Sequence, residues 1–161
     1  MDNFTRYVLL LTVSYLGLAI GVIISYMAKP EIKTGKRYFQ IVKPIIFGFI
    51  IYFFLTYLNI FPIIPVALAI FFTGFTFVWD KRMKFINTNL LYYGFFSVVI
   101  FETRLSNYSA ILSMLIFIFG IISASILSVK FEKRKLLSRL NKVLWENIIY
   151  LVLGLILYIV F

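Results

Sequence analysis

Few residues in this chain have types and spacings that could do chemistry. Glu102 and Arg104 flank Thr103 in the stretch FETRLSN, opposite charges that could form an outer ion pair, close a gate or simply end a helix. Tyr52, Thr56 and Asn59 recur at steps of four and three. A helix therefore sets a phenol, a hydroxyl and an amide on one side, as a polar seam that either lines a cleft or hydrogen-bonds to a neighbouring helix. The stretch VKFEKRKLLSRLNKVLW, residues 129–145, carries six Lys or Arg, and Lys133, Arg134, Arg139 and Lys142 among them are candidates for contact with acidic lipid.

None of these sets is a catalytic constellation. The chain has no Cys and no His, which excludes disulfides, thiolate and imidazole metal sites, Cys–His nucleophiles and a histidine proton shuttle. No nucleotide-binding loop, nucleophile elbow or HExxH motif occurs, and the glycines sit in apolar runs rather than in phosphate-cradling loops. The expectation is a non-enzymatic protein with no cofactor and no metal.

The elements that must hold these residues are set by composition. Hydrophobic residues make up 63% of the chain and charged residues 14%, with mean hydropathy +1.02. A soluble domain has about 45–50% apolar and about 25% charged residues, so the pattern is that of an integral membrane protein. Six apolar runs divide the 161 residues, at about 7–28, 44–60, 63–79, 86–102, 108–129 and 145–161. Most are too long and too uniformly apolar for barrel strands of about 9–11 alternating residues. The expected fold is an all-α, polytopic bundle of six transmembrane helices forming a single domain, with no removable signal peptide. Pro30 and Gly35 are expected to interrupt any continuous helix in 29–43, leaving basic interfacial segments at 29–43 and 130–144.

Charge orients the bundle. The segments 29–43, 80–84 and 130–146 hold 14 of the 16 basic residues, and all three fall on one side of a six-crossing chain. The positive-inside rule makes that side cytoplasmic and both termini external, in a multi-pass protein of the cell membrane. Orientation alone accounts for the basic stretch. Its Phe131, Leu136, Leu137, Leu140, Val143 and Leu144 recur at helical spacing, as in an amphipathic helix lying over anionic headgroups. Nucleic acid is not an expected partner, because the apolar face is committed to the membrane.

None of the six runs carries a charge near its middle, which argues against proton-coupled transporters, pumps and carboxylate-using membrane enzymes. Small residues form stripes instead: Gly17, Gly21 and Ser25 on the first run, Gly120, Ala124 and Ser128 on the fifth. Lipid gives helices no hydrophobic drive to associate, so such faces permit close backbone packing, within the chain or against a second copy or another membrane protein. Two functions follow as expectations. One is a transport-type protein, a passive channel, facilitator or lipid translocator with its path along the Tyr52–Asn59 seam. The alternative is a non-catalytic subunit or assembly factor docking through the small-residue stripes.

Overall fold

The computed structural model describes residues 3–82, 88–129, 131 and 135–161, and among them the chain is helical with no strand. The helices are α1 (Asn3–Met27), α2 (Lys29–Tyr57), α3 (Ile63–Arg82), α4 (Thr88–Thr103), α5 (Tyr108–Val129), α6 (Leu136–Glu146) and α7 (Ile149–Val160). Four stretches among the described residues are long and apolar enough to cross a membrane: Asn3–Met27, Thr34–Tyr57, Tyr108–Val129 and Leu136–Val160, the last running through α6 and α7 together. The apolar part of α3, Ile63–Trp79, is shorter. At 16 residues, α4 rises about 24 Å, less than a hydrocarbon core of about 30 Å.

The largest departure from the sequence reading concerns residues 29–43. They form the first half of α2 rather than a broken interfacial segment. Pro30 falls in the first turn, where its missing N–H has no helical partner to lose. Gly35 lowers helix propensity by about 1 kcal/mol relative to Ala, which does not outweigh a 29-residue helix. The last apolar run also differs, because it is continued from α6 and broken at Asn147 and Ile148. The Asn147 side-chain amide donates to the Val143 carbonyl at 2.8 Å, a local bond that competes with the helical ladder and ends α6.

Contacts between helices fix their directions. Tyr7 donates to the Gly154 carbonyl at 2.8 Å and the rings of Phe4 and Tyr158 are 5.1 Å apart, so the two chain ends share one end of the bundle. Arg6 meets Ser106, Ser14 meets Ser113, and Ser125 meets Gly21, so α1 and α5 run parallel along their length. Lys43 meets Asn89 and Tyr57 meets Glu102, which makes α2 parallel to α4. Tyr93 meets Tyr150 and Phe101 meets Phe161, which makes α4 parallel to α7. The bundle thus has a terminal end and, opposite it, a basic end carrying the start of α2, the end of α5 and α6.

The most extensive interface joins α1 to α5. A Cβ added at Gly17 would lie 2.2 Å from the Phe117 carbonyl oxygen, and one at Gly21 would lie 2.3 Å from that of Ile121. The two backbones therefore touch at positions where only glycine fits. Around this pair the buried core collects Leu11, Leu18, Phe96, Ile100, Leu112, Ile116 and Phe119. α3 packs chiefly on α2 and presents Ile70, Phe71 and Val78 outward.

Candidate functional site

The continuation of α2 through residue 43 carries a lysine into the bundle. Lys43 shares a helix face with Phe47 and Ile50, which are buried against α4 and α5. Its side chain is 7% exposed. The ammonium donates to Asn89 Oδ1 at 3.2 Å and lies 4.6 Å from the ring centre of Tyr92 and 5.5 Å from that of Phe119. The fourteen residues from Lys43 to Tyr57 rise about 21 Å, which sets the ammonium well inside the bundle. An amide oxygen and two π faces help to hold the cation there, through interactions that strengthen as water is removed.

Behind Phe119 the polar character continues. The Tyr93 ring packs against Phe119 and, at 5.7 Å, against Tyr150, which stacks on Tyr15 at 6.2 Å. Gly120 makes room for Tyr93, whose hydroxyl oxygen would lie 3.1 Å from an added Cβ. The Tyr93 hydroxyl is buried with no hydrogen-bond partner, and so are Ser25 Oγ, Ser123 Oγ, Ser128 Oγ and Asn147 Oδ1. The Tyr150 hydroxyl approaches Ser14 without reaching hydrogen-bond geometry. All of these lie between the middle of the bundle and its basic end. Arg139 of α6 completes the set, 1% exposed with its guanidinium 5.3 Å from the Tyr26 ring centre.

The seam residues Tyr52, Thr56 and Asn59 do come together. They line an open cleft of about 400 Å³ with Ile60, Phe61 and Pro62 at the turn between α2 and α3. Thr56 donates to the Tyr52 carbonyl at 2.8 Å, and Asn59 adopts φ 54°, the left-handed conformation that asparagine tolerates at the end of a helix. The cleft does not run on past Gly48, where a Cβ would lie 2.1 Å from Thr73 Oγ1. Tyr52 is nine residues from Lys43, on the opposite side of α2, so seam and buried lysine are separate features.

Glu102 and Arg104 do not pair. Arg104 donates to the Phe101 carbonyl at 2.8 Å with its guanidinium 3.8 Å from the Phe101 ring centre, and Tyr57 donates to the backbone oxygen of Glu102 at 2.9 Å. The chain turns sharply after Thr103, and that aims the arginine back along α4. Gly17, Gly21, Ser25, Gly120, Ala124 and Ser128 all line the α1–α5 interface, with Ser14 and Ser113 bonded across it at 2.9 Å. Among the four basic residues read as lipid contacts, Arg139 is 1% exposed, turned inward onto Tyr26 by the amphipathic pattern of α6. Lys142 is 40% exposed and pairs with Glu146 at 3.4 Å, whereas Lys133 and Arg134 lie outside the described residues.

The absence of charge from the middle of the helices needs correction at Lys43, which is buried at the centre of α2, whereas Arg139 is buried in the first turn of α6. The signal for Lys43 was present in the spacing: Ile46, Phe47 and Ile50 follow it at three, four and seven residues, so a helix through Pro44 shares its buried face. Nothing comparable pointed to Tyr93 or Tyr150, two among eleven tyrosines. Among the described residues no three His, Cys, Asp or Glu side chains gather into a metal-binding group. Comparison with family models, with curated proteins and with solved structures finds no match to this chain.

Proposed function

We propose that the chain is a small multi-pass membrane protein of transport type that handles an anionic ligand in the half of the bundle nearer the cytoplasm. The observation that carries this reading is Lys43, a buried cation ringed by Asn89, Tyr92 and Phe119 inside an apolar bundle. Ionisable groups within a membrane are costly and mark ligand or ion paths. Buried hydroxyls without partners cost about 1–3 kcal/mol each unless water or a ligand meets them, and Tyr93, Ser25, Ser123 and Ser128 extend such a polar lining toward the basic end.

The topology proposed with it is six crossings, with α6 and α7 making the last one, both termini outside and the basic end in the cytoplasm. The alternation of helix directions and the 14 basic residues of the basic segments support that orientation. The chain has no native cysteine, so single cysteines at Gly35, Ile60, Ser106 and Asn141 can be labelled from either side of the membrane. Positions 60 and 106 are expected to react outside, 35 and 141 inside. The subunit alternative is less favoured, because the glycine and serine faces it would use for docking are occupied between α1 and α5.

The decisive experiment is anion efflux from proteoliposomes loaded with potassium chloride, phosphate or acetate, with a potassium ionophore balancing charge. Efflux of at least one anion is expected to exceed that of protein-free vesicles and to fall about tenfold in Lys43→Met, the loss of roughly 1.4 kcal/mol of ligand stabilisation. Wild-type efflux equal to that of empty vesicles for every anion would sink the proposal.

A further inference from the structure

A groove of about 490 Å³ runs along the flank of the bundle where α1 meets the α6–α7 junction. Ser138, Asn141, Lys142 and Trp145 line it at steps of three, one and three, one face of α6. Tyr15 and Ile148 line its far end. The groove is therefore graded along α6: Ser138 lies nearest the basic end, Asn141 and Lys142 follow one turn on, and Trp145 lies about 5–10 Å beyond these polar groups along the helix axis, with Ile148 next. That gradient matches an amphiphile lying along the bundle, headgroup at the interface and acyl chain beside the rings.

Charge selects the headgroup. Lys142 carries the only full charge of the lining, and its ammonium has three donors, of which Glu146 at 3.4 Å needs one. Asn141 and Ser138 add neutral donors that suit phosphate oxygens. Besides the buried Arg139, five basic residues between 130 and 142 raise the local concentration of anionic lipid, each contributing about 1 kcal/mol near an acidic surface. Trp145 is 74% exposed, so its indole is open to lipid just below the polar groups of the groove.

We infer that this groove is a binding site for the phosphate headgroup and upper acyl chain of an anionic phospholipid of the cytoplasmic leaflet. The inference rests on the proposed orientation and not on transport. Lys142 and Asn141 hold the phosphate, and Trp145 and Ile148 flank the acyl chain.

The chain has two tryptophans, so Trp79→Phe leaves Trp145 as the sole reporter in the full-length protein. Its fluorescence is measured in phosphatidylcholine vesicles containing equal mole fractions of brominated phosphatidylglycerol or brominated phosphatidylcholine. The expected result is quenching by the anionic lipid with an apparent association about fivefold stronger than by the neutral one. Lys142→Gln/Glu146→Gln keeps the local net charge, and it is expected to abolish the preference, whereas Lys142→Arg keeps it. A circular dichroism melt shows whether each variant still folds. Equal quenching by both lipids in the parent would overturn the site and leave the orientation standing. No quenching by either would also overturn the site, because Trp145 would then lie outside the bilayer. A preference that survives in the double variant would assign the effect to bulk charge and reject the groove. Reversal by inorganic phosphate in solution would reject the lipid as the source of the phosphate.

Discussion

The two ends of this bundle are built from the same residue types and use them oppositely. At the terminal end, polar side chains are paired: Tyr7 with Gly154, Arg6 with Ser106 and Ser109, Tyr57 with Glu102, Thr103 with Val99. The core between them is closed by Leu11, Ile100, Phe101 and Leu112. From the middle to the basic end lie Lys43, Arg139 and the hydroxyls of Tyr93, Ser25, Ser123 and Ser128, the last four without partners. In a membrane, where no water is at hand to satisfy a stray polar group, this asymmetry separates a half that holds the fold from a half that bears unspent polarity. The paired polar groups and the proposed site occupy different parts of the same helices.

The backbone contact of α1 with α5 is shared by both halves, and breaking it has the largest expected effect. Gly17→Leu drives a side chain into the Phe117 carbonyl, a backbone atom that cannot swing aside. The variant is expected to lose on the order of 3 kcal/mol or more and to fail to elute as a folded monodisperse particle. Gly74→Ala, where an added Cβ meets nothing within 4 Å, is the control, with stability unchanged or raised by about 0.5–1 kcal/mol through helix propensity. Equal loss in both variants would show that glycine acts through helix flexibility rather than through the α1–α5 contact.

Next in size is the buried cation. Lys43→Met leaves the Asn89 amide oxygen without its donor and is expected to cost about 1–2 kcal/mol in a detergent unfolding assay. Lys43→Met/Asn89→Leu removes both members of that hydrogen bond and is expected to recover part of the loss, because the amide oxygen is no longer left without a donor. Efflux should stay low in both. Activity that returned together with stability would mark Lys43 as a packing element and dissolve the distinction between the two ends.

What the sequence made legible follows from what needs only one helix to see. Apolar runs, charge bias and the glycine spacing of Gly17 and Gly21 are properties of single segments, and the helices and the α1–α5 face follow from them. The start of α2 is not legible in this way, because Pro30 reads locally as a breaker, though at the first turn proline favours a helix. That reading hides Lys43 in a presumed loop. The burial of Arg139 is hidden for a related reason: α6 is amphipathic, yet its basic residues are divided between two faces, and only packing against Tyr26 shows which is covered. The Tyr93–Tyr150 contact joins residues 57 positions apart, and no local pattern encodes it.

The smallest expected effects draw the sharpest contrast, because one substitution should act with opposite sign at the two depths. Tyr7→Phe deletes a hydroxyl that donates to the Gly154 carbonyl at 2.8 Å, and it is expected to cost about 1 kcal/mol. Tyr93→Phe deletes a hydroxyl that is buried without a partner, and stability is expected to rise by up to about 1 kcal/mol. Both rings stay, so packing is nearly constant and the difference reports the hydrogen bond alone. Thermal unfolding of the two variants in the same detergent reads it directly. If Tyr93→Phe also destabilises, a water or a ligand satisfies that hydroxyl in the native protein, and the anion efflux of the variant then shows which. A loss of efflux would tie Tyr93 to the anion path proposed at Lys43, whereas unchanged efflux would leave it a hydrated spot in the core.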